Sequence, residues 1–422
     1  MSLSKPSGTF DALKVRDFAL LWTGQTVSSF GDGVFTIALA LVALRIGHRP
    51  IDLAYVLTAR AVPTVVFALI GGVVVDRVPR RFAMLASDSV RGLAVGVVAL
   101  LLARHELQMW ELISMSIIFG TADAFFFPAA TAIMPELLDE TLLPQGNALG
   151  QMSGQLTQGL IGPAAGGLIV SAIGFAWSFG ADAISFAVSA TCLAFMKIRT
   201  PRRESHETAL AEALQGIAYV RSQRWLFYSL LGAAIANFVG MAPFGVLLPL
   251  LVRHTLHASP FTLGLVFAAG GAAGVGASIV VARLGTPRLF VTVLWVAYAV
   301  GGVAMASLAA APNAWVVAVL NALQAGLLIY GDVLFFSMVQ RLVPREFMGR
   351  VSSLIFLLAF SLGPLGILLG GVVATAVGVR ETLLVGGALS GVLCVLVLVA
   401  PGVRDPERGL IAAPQVPIVA TE

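Results

Sequence analysis

Acidic and basic side chains inside long apolar segments are the residues of this sequence that could do chemistry. A charge at the centre of a membrane helix costs at least ~2.5–3.5 kcal/mol, so it is retained only with a partner or a function. Lysine and histidine lie between the apolar segments, so a proton carrier within them must be a carboxylate. The charged residues within the segments are Asp32, Arg60, Asp88, Arg91, Asp123, Asp182 and Asp332.

Asp32 belongs to a polar stripe in the first apolar segment. Gln25, Ser28, Ser29 and Asp32 follow at i, i+3, i+4 and i+7, which is one face of a helix. Such a face is expected to point at a water-filled cavity or at a partner helix, and a carboxylate in a cavity can exchange protons. The sequence therefore predicts proton coupling at Asp32 and substrate binding at Gln25, Ser28 and Ser29. An ion pair between Asp32 and Arg60 is the alternative.

Asp123 is the second candidate for proton coupling. It precedes a run of three phenylalanines that ends at Phe127, and a carboxylate beside aromatic rings suits an amphipathic cation. The alternative is an ion pair with Arg91. We expect structural ion pairs among Arg60, Asp88, Arg91 and Asp182, which have no other evident role.

Uncharged amides suggest further substrate contacts. Four of them follow one helical face at steps of four, four and three residues, and lipid contact does not explain them. They can line a cavity, or they can form hydrogen bonds between helices. We assign them to substrate binding, together with polar residues of the second half: Asn147, Gln151, Gln155, Gln158, Asn237, Asn321, Gln324 and Asp332.

These residues need membrane-spanning helices to position them. Of 422 residues, 58% are hydrophobic and only 11% are charged, which excludes an ordinary soluble enzyme. The apolar runs predict an all-α protein with twelve spanning helices. Their expected ranges are 18–45, 52–75, 82–103, 110–134, 147–173, 175–197, 225–252, 260–283, 288–310, 315–341, 351–377 and 381–400.

The longest polar stretch divides the helices into two groups of six. We predict a first bundle over 1–198, a cytoplasmic linker over 199–224 that is helical in its second part, and a second bundle over 225–401. Residues 402–422 are expected to form a disordered cytoplasmic tail. Lysine and arginine concentrate in the loops on the side of both termini, so both termini are predicted to be cytoplasmic.

Several kinds of site are not expected. No phosphate-binding loop, intramembrane nucleophile–base pair or set of metal ligands is visible, so we predict no enzyme activity, metal or cofactor. The basic residues are spread through loops, which argues against nucleic acid as a partner. Both cysteines lie in apolar runs and are expected to be packing residues.

Two local patterns are more specific than composition. The loop after the second predicted helix reads GVVVDRVPRR, in which a carboxylate and clustered arginines can join helix ends. The fifth helix contains GPAAGG, where proline removes a backbone donor and glycines allow close packing. The residues concerned are Gly72, Asp76, Arg77, Arg80, Arg81, Gly162, Pro163, Gly166 and Gly167.

Both patterns resemble motifs of the major facilitator superfamily and of its proton-coupled antiporters. Four shorter stretches resemble the drug:proton antiporter-3 branch, which holds macrolide-efflux proteins and the enterobactin exporter. They are SSFGD at 28–32, ARAVP at 59–63, DAISF at 182–186 and VPREFMGRVSS at 343–353. The chain departs from the loop motif at Pro79, where the family has glycine, and its second-half loop over 283–288 is degenerate.

The resemblance implies gating roles for both motifs. Asp76, Arg80 and Arg81 would hold the cytoplasmic side closed in the outward-facing state, with Glu136 as the partner of one arginine. The second motif, with Gly162, Pro163, Gly166 and Gly167, would shape the contact between the two halves. The resemblance also implies a monomer.

The expected function is proton-driven export of amphipathic small molecules by alternating access, from a bacterial inner or plasma membrane. The partners would be substrate, protons and membrane lipids. A dedicated exporter of a siderophore or another secondary metabolite has the same features, and so does a lysophospholipid transporter of the superfamily. A membrane enzyme or a sensor is a further alternative.

Overall fold

The computed structural model describes residues 10–47, 49–139, 141–197 and 209–410. Within these ranges it describes the backbone alone at 68–77, 144, 209–214, 345, 346, 349, 353, 356, 359 and 360. The described residues form α-helices joined by short turns, with no strand among them. They group into two compact units, one containing residues up to Lys197 with Val252–Ala272 and the other containing Ala209–Leu251 with Ala273–Leu410.

The first unit begins with four long helices. They are α1 (Arg16–Ile46), α2 (Pro50–Arg77), α3 (Arg80–Ala103) and α4 (Met109–Leu137). The next helix is divided into α5 (Leu143–Gly154) and α6 (Gly162–Ala172), and α7 (Phe175–Phe195) follows. Phe18, Phe126 and Ile133 belong to a buried apolar core at one end of this unit.

The second unit begins with α8 (Ala209–Ser222), α9 (Arg224–Ala236) and α10 (Ala242–Leu250). Then come α11 (Pro260–Leu284), whose first half belongs to the first unit, α12 (Phe290–Ser307) and α13 (Ala314–Leu342). The last helices are α14 (Arg345–Ser361), α15 (Gly363–Val377) and α16 (Val379–Val399).

Ten of the described helical segments are long and apolar enough to cross a membrane. The predicted fifth helix is not among them, and the predicted eleventh is represented by α14 and the short apolar α15. The all-α membrane fold is confirmed, whereas the number of twelve spans stays a prediction. The bundle boundaries at 198, 225 and 401 also stay predictions.

Two interruptions of the helices were missed by the sequence analysis. Residues 155–161 and 237–241 are π-helical, and Pro163 or Pro243 follows two residues after each. A third π-helical segment, Leu251–Thr255, continues α10 at its end. Proline lacks an N–H and its ring clashes with the carbonyl four residues earlier, so a wider turn relieves the clash. The fifth predicted helix therefore contains one wider segment, and the seventh contains another.

The tail prediction is wrong for its first nine residues. Residues 402–410 form turns and a short 3₁₀-helix at Pro406–Arg408, and Val403 is buried. Glu407 accepts hydrogen bonds from the Thr292 amide and hydroxyl at 3.0 and 2.7 Å and from Arg404 at 2.6 Å. These contacts order the segment. Residues 411–422 lie outside the described residues.

The helix predicted within the linker is present as α8. It packs against α14, where the rings of Tyr219 and Phe347 stack with centroids 4.6 Å apart. Burial in this contact raises the pKa of Tyr219. Residues 198–208, the first part of the linker, lie outside the described residues.

Candidate functional sites

Ion pairs join three helices in the interior of the first unit. Arg91 of α3 binds Asp88 on its own helix, one turn earlier, and it binds Asp123 of α4 at 2.9 Å. Arg60 of α2 binds the other oxygen of Asp123 at 3.1 Å. Asp88, Arg91 and Asp123 are buried. One carboxylate thus lies between two guanidinium groups.

Aromatic rings surround these guanidinium groups. The ring centroids of Phe126 and Phe186 lie 4.2 and 4.6 Å from the Arg91 guanidinium carbon. The ring centroid of Phe119 lies 4.2 Å from the Arg60 guanidinium carbon. Ring faces attract cations and thereby offset part of the cost of removing them from water. The rings also exclude water, which strengthens the ion pairs.

Hydroxyl and amide groups extend the network to α1 and α7. Ser189 donates to Asp88 at 2.6 Å, and Gln25 donates to Ser189 at 3.1 Å. Gln25 is thus connected to Arg91 through two intermediates. Its place in the network is that of a hydrogen-bond donor between helices.

Asp32 and Asp182 lie beside this network without a guanidinium partner among the described residues. Asp182 accepts a hydrogen bond from Ser185 at 3.2 Å through Oδ1, while Oδ2 is buried and unbonded. Asp32 Oδ1 is also buried and unbonded within the described chain. We call the six residues Asp32, Arg60, Asp88, Arg91, Asp123 and Asp182 the charge cluster.

The helices α1 and α7 approach closely at Gly31, the residue before Asp32. A Cβ atom built on Gly31 would lie 2.5 Å from Asp182 Oδ1. Each carboxylate lies in the electrostatic field of the other and of Arg60 and Arg91. Only glycine at position 31 permits this approach.

Two pairing expectations differ from the structure. The alternative pairing of Asp32 with Arg60 is not formed, because Arg60 binds Asp123. The expected ion pair of Asp182 is also absent from the described residues, because both guanidinium groups are engaged by Asp88 and Asp123. The remaining expected members, Arg60, Asp88 and Arg91, do form ion pairs.

The second unit contains a cavity of about 420 Å³. Asn237, Gln324 and Asp332 line it, as do Trp295 and Tyr298. Tyr298 donates a hydrogen bond of 2.6 Å to Asp332. The walls are mostly apolar, so the cavity suits an amphipathic molecule with a polar or cationic end.

The remaining sequence candidates are dispersed. Asn321 is buried on α13 and does not line this cavity, and Ser28 is buried on α1. The others are exposed or partly exposed and do not line it: Ser29, Phe127, Asn147, Gln151, Gln155 and Gln158. Their substrate contacts stay predictions.

The loop motif joins helix ends in the first unit. Arg80 forms an ion pair with Glu136 and donates to the Ala132 carbonyl at 3.0 Å, both on α4. Arg81 donates to backbone carbonyls at the end of α7, those of Ala194 and Met196. The side chains of Asp76 and Arg77, and the surroundings of Gly72, lie outside the described set.

The glycines after the first π-helical segment provide close packing. Gly162 and Gly166 face α1, where added Cβ atoms would lie 2.8 Å from Gly33 Cα and from the Val34 carbonyl oxygen. Gly167 faces the start of α11, where an added Cβ atom would lie 2.7 Å from the Pro260 carbonyl oxygen. Pro163 is buried beside Gly33.

Sequence reasoning missed the polar face of α7 and the partner of Asp332. Ser178, Asp182, Ser185 and Ser189 are all buried, and their steps of four, three and four mark one helical face. That spacing was a usable signal. Tyr298 had none, since a single tyrosine in an apolar helix has no distinctive spacing.

Comparison with known proteins gives consistent matches over more than nine-tenths of the chain. The family model described as transmembrane secretion effector, of the major facilitator superfamily, matches residues 7–413. The multidrug efflux pump Tap of Mycolicibacterium fortuitum is 26% identical over 407 residues, covering 92% of this chain and 95% of Tap. Macrolide efflux protein A of Streptococcus pyogenes is 23% identical over 405 residues, covering 93% and 96%.

Solved structures agree with the fold. One from a study of proton dependent oligopeptide transporters matches with a TM-score of 0.67 and 15% identity, covering 94% of this chain and all of that one. Identity at this level supports the architecture alone.

Proposed function

The chain belongs to the transmembrane secretion effectors of the major facilitator superfamily, and we propose that it exports amphipathic cations in exchange for protons. Two similar proteins are named as efflux pumps for multiple drugs and for macrolides, which supports export of small molecules. Alternating access, a bacterial inner or plasma membrane, cytoplasmic termini and a monomeric state belong to the same proposal.

The charge balance of the cluster is the observation that supports proton coupling. Four carboxylates face two guanidinium groups, and both guanidinium groups bind Asp88 or Asp123. Asp32 and Asp182 are therefore left without a neutralising ion pair among the described residues. An uncompensated buried carboxylate is costly, and binding a proton removes that cost.

Asp32 and Asp182 form the proton site in this proposal. Two carboxylates that lack cationic partners in a low-dielectric interior do not both ionise readily, so the site can hold a proton. That proton also supplies a hydroxyl donor to a site with two unbonded buried oxygens. Asp123, proposed from sequence for the same role, accepts hydrogen bonds from Arg60 and Arg91 and so already has two cationic partners.

The cavity of the second unit is the proposed substrate site. Asp332 provides one carboxylate, Asn237 and Gln324 provide amides, and Trp295 provides an aromatic wall. A carboxylate with apolar and aromatic surroundings favours cations that carry hydrophobic groups. The volume of about 420 Å³ fits a small molecule.

Transport in proteoliposomes tests the exchange. We would impose a pH gradient and follow the fluorescent cation ethidium with the unaltered protein, with Asp32→Asn and with Asp182→Asn. Asp139→Asn, at an exposed carboxylate after α4, is the matched control. Gradient-driven transport should be lost in the two cluster variants and kept in the control.

Proton release separates coupling from folding. Adding ethidium to the detergent-solubilised protein should release protons to a pH indicator, and each cluster variant should bind ethidium without that release. Transport by the unaltered protein that ignores the pH gradient would contradict proton exchange. Unchanged transport in both cluster variants would instead contradict only the assignment to Asp32 and Asp182.

A further inference from the structure

A second cavity, of about 680 Å³, lies in the first unit at the end of α1 remote from the N-terminus. It is distinct from the charge cluster and from the cavity around Asp332. Its lining contains four basic side chains, Arg45, Arg253, His254 and His257, and no acidic one. An excess of donors and positive charge in one concave site favours an anion.

The basic groups are held in place by local contacts. The Arg45 guanidinium lies over the ring of Phe175, with its carbon 5.3 Å from the centroid. Arg253 donates to the carbonyl of Ala258, whose amide in turn donates to the carbonyl of Val252 at 3.0 Å. These two hydrogen bonds join residues 252 and 253 to Ala258, and they fix the segment that contains His254 and His257.

Two helices begin at the same cavity. Phe175 is the first residue of α7 and Pro260 is the first of α11, and both line it. The start of α7 has no side-chain cap within the described residues. Helix starts present free amides and partial positive charge, which adds to the attraction for an anion.

The rest of the lining decides what sort of anion fits. Leu41, Leu44 and Val170 form an apolar wall beside the two arginines. A phosphate group fits the charge and the donors, and an attached apolar chain fits the wall. An acidic phospholipid offers both parts, whereas free inorganic phosphate offers only the first.

We propose that this cavity, which we call the basic cavity, binds the phosphate group of an acidic phospholipid. The inference does not depend on the transported substrate or on the proton site. It assigns a stabilising lipid to a cavity whose lining shares no residue with the charge cluster or with the cavity around Asp332.

Lipid binding can be measured in nanodiscs of phosphatidylglycerol and of phosphatidylcholine. We expect thermal unfolding at a higher temperature in phosphatidylglycerol, and native mass spectrometry should detect a retained phosphatidylglycerol molecule. Arg45→Gln combined with His257→Gln should weaken that retention about fivefold, as loss of one exposed guanidinium contact and one imidazole contact implies. Inorganic phosphate added to phosphatidylcholine nanodiscs tests the other source of the same group.

Two control variants keep the experiment decisive. Arg45→Lys retains the charge and should keep the lipid, and Arg49→Gln removes an exposed arginine that pairs with Asp52 outside the lining. Equal lipid retention in the double variant and the unaltered protein would overturn the proposal. Equal stabilisation by inorganic phosphate would overturn the lipid as the source.

Discussion

The two units enclose polar groups in opposite ways. The first unit gathers four carboxylates and two arginines into one cluster, four of them fully buried, and the rings of Phe119, Phe126 and Phe186 lie against its arginines. The second unit surrounds an open cavity with one carboxylate, which is bonded to a neutral tyrosine. A closely packed interior has no room for a small molecule, whereas a cavity lined by one charged group can bind one. This difference is why the proposal puts proton binding in the first unit and substrate binding in the second.

Removing the central cation of the cluster should have the largest effect. Arg91→Met leaves Asp88 without its guanidinium partner and Asp123 with one fewer, and loss of one member of a buried ion pair costs ~3–5 kcal/mol. The free energy of unfolding in detergent measures the loss. Arg49→Met breaks an exposed pair and should cost under ~1 kcal/mol. A similar loss of unfolding free energy in both variants would show that the ion pairs of Arg91 are no stronger than an exposed pair.

A pair of glycines tests the packing difference between the units. Gly31→Ala inserts a Cβ atom 2.5 Å from Asp182 Oδ1 and should cost ~1–3 kcal/mol through overpacking. Gly301→Ala, at the cavity of the second unit, meets nothing nearer than 3.8 Å and should be close to neutral. Unfolding temperatures of the two variants give the contrast. If Gly31→Ala were as stable as Gly301→Ala, the close approach of α1 and α7 would be refuted.

Neutralising the cavity carboxylate should alter ligand preference more than stability. Asp332→Asn removes the charge that attracts a cation, and we expect the Kd for ethidium to rise about tenfold, as for the loss of a charged hydrogen bond. The Kd for an uncharged ligand of similar size should stay within about twofold. Ser229→Ala changes a polar group of the same lining and serves as the control. Equal weakening of charged and uncharged ligands would argue against recognition of charge.

The smallest expected effect lies outside the membrane-spanning helices. Burial alone would raise the pKa of Glu407, but hydrogen bonds from Arg404 and Thr292 outweigh it and hold the pKa below its ordinary value of 4.5. The stabilisation by this carboxylate is therefore present above pH 4.5 and is lost as the pH falls through the lowered value.

Glu407→Gln measures that stabilisation. It should cost about 1 kcal/mol at neutral pH, and the difference from the unaltered protein should shrink at a pH well below 4.5. Unfolding temperatures across this pH range provide the test. A difference that grows on acidification would contradict the sign of the pKa shift.

The sequence was informative about which residues are buried, because charge in an apolar segment is conspicuous. Asp32, Asp88, Arg91 and Asp123 all lie in long helices, as their apolar surroundings indicated. Partner choice was not predictable in the same way. Whether Arg60 meets Asp32 or Asp123 depends on the rotation of α2 against α1 and α4, and hydrophobic periodicity does not fix that rotation to within one side chain.

Helix irregularities were also beyond the sequence signals used. Pro163 and Pro243 indicated a disturbance, but proline is compatible with a kink, a break or a wider turn. Which of these forms depends on the packing of neighbouring helices. Here Gly33 leaves room for α6 beside α1, so the helix continues with a π-helical segment.

The ion pairs between α2, α3 and α4 also bear on how the chain enters the bilayer during synthesis. Asp88 and Arg91 neutralise each other on α3, whereas α2 contains Arg60 and α4 contains Asp123 as separate charges. Each separate charge would cost ~2.5–3.5 kcal/mol if its helix partitioned alone. The translocon should therefore retain α2 until α4 emerges, and the three helices should leave it together.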